Sequence, residues 1–251
     1  MAQPNLSGKC PVCDQAMVAK CGEVKIWHWA HKGRRTCDLW WENETEWHRA
    51  WKERFPESWQ EVVHSADNRE KHIADVKTDQ GWVIEFQHSH IQPEERRARD
   101  AFYPKLVWVV DGARRKRDLT QFCEALNRGT PIGSNSPIRI PFADECVILR
   151  EWVGSRAPVF LDFGSEELWW ILKGTPDGST YVARFPRSNF IEIHRVGARQ
   201  EVCGIFEKFV NDLSQIISQY ESHLMLKRAG PLPAPGFQQY QMRTSRLRRR
   251  F

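Results

Sequence analysis

The sequence predicts an α/β fold in which a helix, three strands, a second helix and a fourth strand form the central body. Three observations carry that reading. Apolar residues recur at helical spacing over residues 43–55, two alternating runs flank the turn Asp79-Gln80-Gly81, and residues 105–110 (KLVWVV) form the nearly continuous apolar run expected of a strand buried on both faces.

Taken in order, the first 39 residues are dense in Cys, Gly, Lys and His, with too few aliphatic side chains for a core of their own, and a bound metal is the usual remedy. Cys10-x2-Cys13 and His28-x2-His31 offer four ligands of the type that tetrahedral Zn²⁺ takes, with Cys21 or Cys37 able to displace one His. The gap between the two His is shorter than in a DNA-reading finger, so no recognition helix is expected. From residue 43 to 55, Trp47, Ala50, Trp51 and Phe55 mark a helix ended by Pro56, with Asn43 as its cap and Glu46 three residues on. Residues 59–64 (WQEVVH) read as a strand, followed by the hairpin, a helix opening at Pro93, and the buried strand. Residues 114–127 carry Leu119, Phe122, Cys123 and Leu126 at helical spacing. The loop-like stretch at residues 128–137 is a candidate boundary.

Beyond it, the runs ECVILREWV, ELWWILKG, STYVARF and NFIEIHR predict a mixed, mainly β accessory region, and residues 201–226 predict one long helix with Ile205, Phe209, Leu213, Ile216, Ile217 and Tyr220 as its stripe. The expected organisation is a zinc-binding module at residues 1–41, a central body at 42–129, the accessory region at 130–228, and a linker with a basic tail at 229–251. There is no internal repeat.

At 251 residues and 41% apolar, the chain is expected to be a globular protein; it has no apolar run long enough to span a membrane and no signal-like start, which predicts a cytoplasmic protein without a membrane partner. Seven cysteines without an export signal argue against a disulfide framework, and Cys123, Cys146 and Cys203 read as inert thiols. The net charge of +5 is local: residues 241–251 hold five arginines and no acid, so the rest of the chain sums to zero. Arg248, Arg249 and Arg250 read either as an arm for phosphate backbones or as a solubilising tail. The early tryptophans, Trp27, Trp29, Trp40, Trp41, Trp47, Trp51 and Trp59, suit core packing better than base stacking.

Within the hairpin, a three-residue loop with Gly81 in the left-handed position pairs Thr78 with Trp82 and sets Asp75 opposite Glu85. Directly opposed residues lie about 5 Å apart, and like charges there repel, so something positive belongs between them. The alternative is a surface hairpin whose acids are merely solvated. On the helix after it, Arg99 and Tyr103 share a face and read as a clasp or a phosphate contact, while Arg96 and Arg97, flanked by acids, read as solvated surface.

The order of elements, with Asp75 followed by Glu85-x-Gln87, resembles the core of the PD-(D/E)XK nuclease superfamily, with its restriction-endonuclease-like fold. More narrowly, EWHRAWK, HIADV, IEFQHSHI, ERRARDAFY and LVWVVDG, together with WHWAH, resemble the CoiA-like family of competence-associated nucleases, over roughly residues 8–112. The resemblance implies that Asp75 and Glu85 hold Mg²⁺ or Mn²⁺, that Gln87 stands at the place usually taken by lysine, that Glu46 is an additional acid, that Lys77 or His48 is auxiliary, and that Ser89 fixes a turn. It implies metal-dependent hydrolysis of DNA, with RNA also a candidate substrate, in the handling of incoming or foreign DNA. Two other readings stand beside it: a nucleic-acid binding protein on a nuclease scaffold that does not cut, and a zinc-stabilised protein-interaction module with partners or a second copy docked on residues 130–228.

Overall fold

The computed structural model describes residues 2–23, 27–33, 40, 44–65, 70–133, 136–195 and 204–229. The chain divides into two compact units, Met1–Phe206 and Glu207–Phe251. In the first unit, β1 (Ser7–Lys9), β2 (Ala16–Lys20) and β3 (His28–His31) form a small antiparallel sheet in that order. The strands are too short to bury much apolar area, which agrees with the composition of this segment.

The rest of the unit is built on one sheet of nine strands. In chain order its elements are α1 (Glu46–Lys52), β4 (Gln60–Ser65), β5 (Lys71–Lys77), β6 (Val83–Gln87), α2 (Pro93–Phe102), β7 (Leu106–Asp111), α3 (Asp118–Arg128), β8 (Thr130–Pro131), β9 (Ile138–Ile140), α4 (Val147–Trp152), β10 (Val159–Asp162), β11 (Glu167–Gly174), β12 (Thr180–Pro186) and α5 (Arg187–Arg195). The strand order is β4-β5-β6-β7-β10-β11-β12-β9-β8. Neighbours β6–β7 and β7–β10 are parallel and the other pairs antiparallel. A last helix, α6 (Ile205–Ala229), leads into the second unit. The expected α/β class is what the chain adopts: a large mixed sheet with helices.

Parallel neighbours demand crossovers, and these cover both faces of the sheet centre. On one face Tyr103, Trp108, Val110, Phe122, Leu149 and Trp152 form a single buried cluster. On the other an aromatic core assembles, with Trp51 stacked on Phe86 at 5.6 Å, Phe160 against Phe190 at 4.9 Å, and Trp170 stacked on Phe206 at 5.6 Å. All five residues of β6 and all six of β7 are buried, which is why KLVWVV reads as an unbroken apolar run.

Several expectations are revised. The N-cap of α1 is Thr45, whose Oγ1 accepts the His48 N–H at 3.3 Å; the helix begins at Glu46, so Glu46 stands at its first position and not three residues after the cap, and Asn43 lies outside the described residues. The run VILREW, expected as a strand, is helix α4: Ile148, Leu149 and Trp152 occur at helical spacing and are all buried. NFIEIHR lies within α5 for the same reason, Phe190 and His194 falling four apart and buried, with His194 Nδ1 bonded to the Phe190 carbonyl at 2.8 Å. Short apolar runs fit either period, and burial on one side decides. The loop at residues 128–137 does not divide the sheet, because β8 and β9 on either side of Gly133 add to its far edge and β10 pairs directly with β7.

Asp162, only 1% exposed, ties the two halves of this sheet together. Its Oδ2 accepts both the Trp47 and Trp51 indole N–H groups, at 3.0 and 2.8 Å, and its Oδ1 accepts the Gly164 N–H at 2.8 Å and the Arg187 guanidinium. Replacing it with Ala leaves two indoles without their acceptor and takes the carboxylate from the half-buried Arg187, which keeps the Ser165 carbonyl, so Asp162→Ala should lower the unfolding free energy by about 1–3 kcal/mol, read from urea denaturation.

Candidate active site and metal centre

The hairpin forms with the expected register. Thr78 N–H donates to the Trp82 carbonyl at 2.8 Å, Gly81 N–H to the Thr78 carbonyl at 2.9 Å, and Gly81 has φ 79°, the left-handed conformation that glycine takes without strain. The ladder pairs Lys77 with Val83 and Val76 with Ile84. One step further, where Asp75 and Glu85 follow, the ladder gives way: the Asp75 carboxylate accepts the Phe86 N–H at 2.9 Å.

The positive charge that neighbouring acids demand comes from two directions. Glu85 is 5% exposed and its Oε2 accepts Arg99 Nη1 at 3.1 Å; the same guanidinium donates to Glu95 and to the Trp40 carbonyl at 2.6 Å. Asp75 instead lies within electrostatic range of Lys52, whose ammonium meets Glu44 at 2.5 Å and also bonds Glu61. Burial works against the charge on Lys52, but Glu61, Asp75 and Glu44 outweigh it and hold its pKa well above the usual lysine range. Desolvation pushes the Glu61 carboxyl up, Lys52 pulls it down, and Asp75 adds to the rise. Burial also raises Glu44, yet Lys52 and Arg49 prevail and leave it below the ordinary value. Glu61 occupies this place with φ 52°, uncommon for a residue with a side chain.

Glu44 and Glu61 are held on the Lys52 ammonium with Asp75 nearby, and among the described residues these carboxylates do not draw close enough together to form a group of three metal ligands. Sequence reasoning missed Lys52, Glu44 and Glu61. Lys52 was within reach, since it closes the EWHRAWK run on the helix facing the hairpin, whereas Glu61 sits in an unremarkable strand.

The other expected site residues stand apart from this group. Glu46 is exposed at the start of α1. His48 is buried, bonds Thr45 Oγ1 at 3.1 Å through Nδ1, and faces Trp47 and His88. Lys77 Nζ donates to His64 Nδ1 at 3.1 Å, and burial together with Lys77 lowers the His64 pKa. Gln87 donates to the carbonyl and hydroxyl of Ser89, at 3.2 and 3.3 Å, so the turn after β6 is tied down by both residues. Arg248, Arg249 and Arg250 lie outside the described residues.

Among the described residues the N-terminal metal centre has three ligands and not the four expected. Among the described residues, Cys10, Cys13 and His31 bring one ligand atom each within 4.8 Å of one another, and Cys13 Sγ lies 3.3 Å from His31 Nε2. Such a group can hold a metal such as zinc. Both Cys lie in the β1–β2 turn, closed by Asp14 N–H to the Cys10 carbonyl at 2.8 Å. His28 does not join them. In a strand, residues three apart point to opposite faces, so β3 cannot present both His28 and His31 to one ion. Cys21 is not in the group, and Cys37 lies outside the described residues.

Purified protein should accordingly carry one zinc per chain by elemental analysis. Cys13→Ser and His31→Ala should each reduce that content, while His28→Ala leaves it unchanged. Removal of the metal should also lower the melting temperature.

No curated protein and no solved structure matches the chain. One family model does: residues 8–39, which hold the small sheet and the Cys10-Cys13-His31 group, match the competence protein CoiA, N-terminal domain.

Proposed function

We propose that this protein is a metal-dependent nuclease that hydrolyses phosphodiester bonds in DNA. The observation that carries the reading is the group of charges beside the hairpin: Lys52 bonds Glu44 and Glu61, and Asp75 lies within electrostatic range of both Lys52 and Glu61. The PD-(D/E)XK resemblance of the motifs and the competence name of the matched family model agree with a substrate of DNA.

Asp75 and Glu61 would hold a divalent cation, with Glu85 joining as it shares Arg99. When bound, the ion supplies polarisation of the scissile phosphate and a lowered pKa for its water. Lys52 keeps a permanent positive charge beside Asp75, the charge that Gln87 cannot carry, and so offsets charge that develops on the phosphate. Gln87, anchored at Ser89, orients water or phosphate at the end of β6.

One observation favours the non-cutting binder: Glu85 is already neutralised by Arg99 in a buried pair, at side-chain exposures of 6% and 5%. The two readings separate in a cleavage assay on linear and circular, single- and double-stranded DNA. Cutting should require Mg²⁺ or Mn²⁺, disappear in Asp75→Ala, and fall by a factor of about 100 or more in Lys52→Met, the size expected when a positioned electrostatic stabiliser is removed. Salt-sensitive DNA binding with no cutting under either metal would replace the nuclease with the binder.

A further inference from the structure

A concave site opens where the parallel strands β6 and β7 end, the edge at which open α/β sheets bind ligands. It is a cavity of about 180 Å³ whose lining includes Ser89, Arg96, Arg114, Arg150, Asp111 and Glu151. Both acids are already engaged. Asp111 Oδ2 bonds His88 Nδ1 at 2.7 Å and its Oδ1 accepts the Ala113 N–H at 2.8 Å, while Glu151 forms a two-pronged pair with Arg115 at 2.7 and 2.8 Å.

Glu151 also reaches Arg114 Nη2, at 4.0 Å, so among the described residues Arg96 and Arg150 are the lining arginines without an ion-pair partner. Arg96 is the decisive one. Read from the sequence as solvated surface, it is 8% exposed, packs over Trp152 at 5.4 Å, and gives Nη1 to the Glu151 backbone carbonyl. Its Nε has no hydrogen-bond partner among the described residues. Burial lowers its pKa, Asp100 only partly offsets this, and Arg97 adds to it. A buried cation without an ion-pair partner is costly unless a ligand brings the missing charge. Nearby, Pro93 begins α2 and Gln92 makes no side-chain cap bond there, so the positive end of the helix points toward the same side.

We infer that this cavity is a phosphate subsite that seats the terminal phosphate monoester of a nucleic-acid strand on Arg96, Arg114, Arg150 and Ser89. A monoester carries close to two negative charges at neutral pH and offers three acceptor oxygens, which matches a cluster of guanidinium groups. The volume admits a phosphate and a few waters, at about 30 Å³ for each water, and excludes a base pair. Ser89 follows Glu85 by four residues, so the two lie within about 13 Å, the reach of four extended residues. A strand held here by its end thus runs past the carboxylate cluster, a statement that rests on the nuclease reading, whereas phosphate capture itself does not.

The test is fluorescence anisotropy of an internally labelled 12-nucleotide single strand bearing a phosphate at its 5′ end, at its 3′ end, or at neither, bound to the full chain without added Mg²⁺. A phosphate at one end should tighten binding about tenfold. Arg114→Ala and the exposed Arg150→Ala should each erase that preference while leaving the hydroxyl-ended strand within about twofold, so the test stands even if Arg96→Met fails to fold. Inorganic phosphate should compete for the preferred end. Equal affinity for all three strands would overturn the subsite. Saturable binding of inorganic phosphate or a nucleoside monophosphate with no end preference would overturn the strand assignment and leave a free phosphate compound as the occupant. An end preference in a protein that does not cut supports the subsite and refutes only the nuclease, and cutting that needs Asp75 without an end preference does the reverse.

Discussion

The parallel trio β6–β7–β10 is the constraint from which the rest of the unit follows. Parallel neighbours cannot be joined by tight turns, so each connection must climb over a face of the sheet and bring a helix with it. Both faces are thereby buried, which requires Phe86, Trp108 and Phe160 at the centre and pushes charged groups to the rims. All three strands also finish at one edge. Asp111 and Asp162 end β7 and β10 side by side in register there, and each folds its carboxylate back onto backbone N–H groups two residues on. The polar chemistry of the molecule concentrates at this edge and at the β5–β6 hairpin because the centre has no room for it.

What was legible in the sequence is what local chemistry decides. The hairpin was readable because Gly81 can take a positive φ and a three-residue loop permits one register. The strand was readable because burial on both faces leaves no polar residue from Leu106 to Val110. The misreadings arose where tertiary contacts make the choice. VILREW and NFIEIHR have apolar residues that satisfy strand and helix periods alike, and the aromatic core and the face of α3 recruited the helical solution. Arg96 was read from its acidic neighbours in sequence, but α2 buries the stripe Arg96, Arg99 and Tyr103, which the acids at Glu94 and Glu95 conceal.

The N-terminal segment shows the same division. Its ligand types and its poverty in aliphatic residues announced a metal, and Cys10, Cys13 and His31 do converge. His28 was assigned as a fourth ligand because WHWAH offers two His three apart. That run is a strand, and its odd spacing separates the two imidazoles.

The acceptors of Arg99 include Glu85 on β6, Glu95 on its own helix and the carbonyl at Trp40. Should Glu85 turn toward a cation, the guanidinium keeps Glu95 and the Trp40 carbonyl, so no charge is stranded in the interior. The same bonds also mean that the backbone at Trp40, directly after the segment holding the metal ligands, is mechanically joined to the carboxylate of β6, so that ordering one end restrains the other.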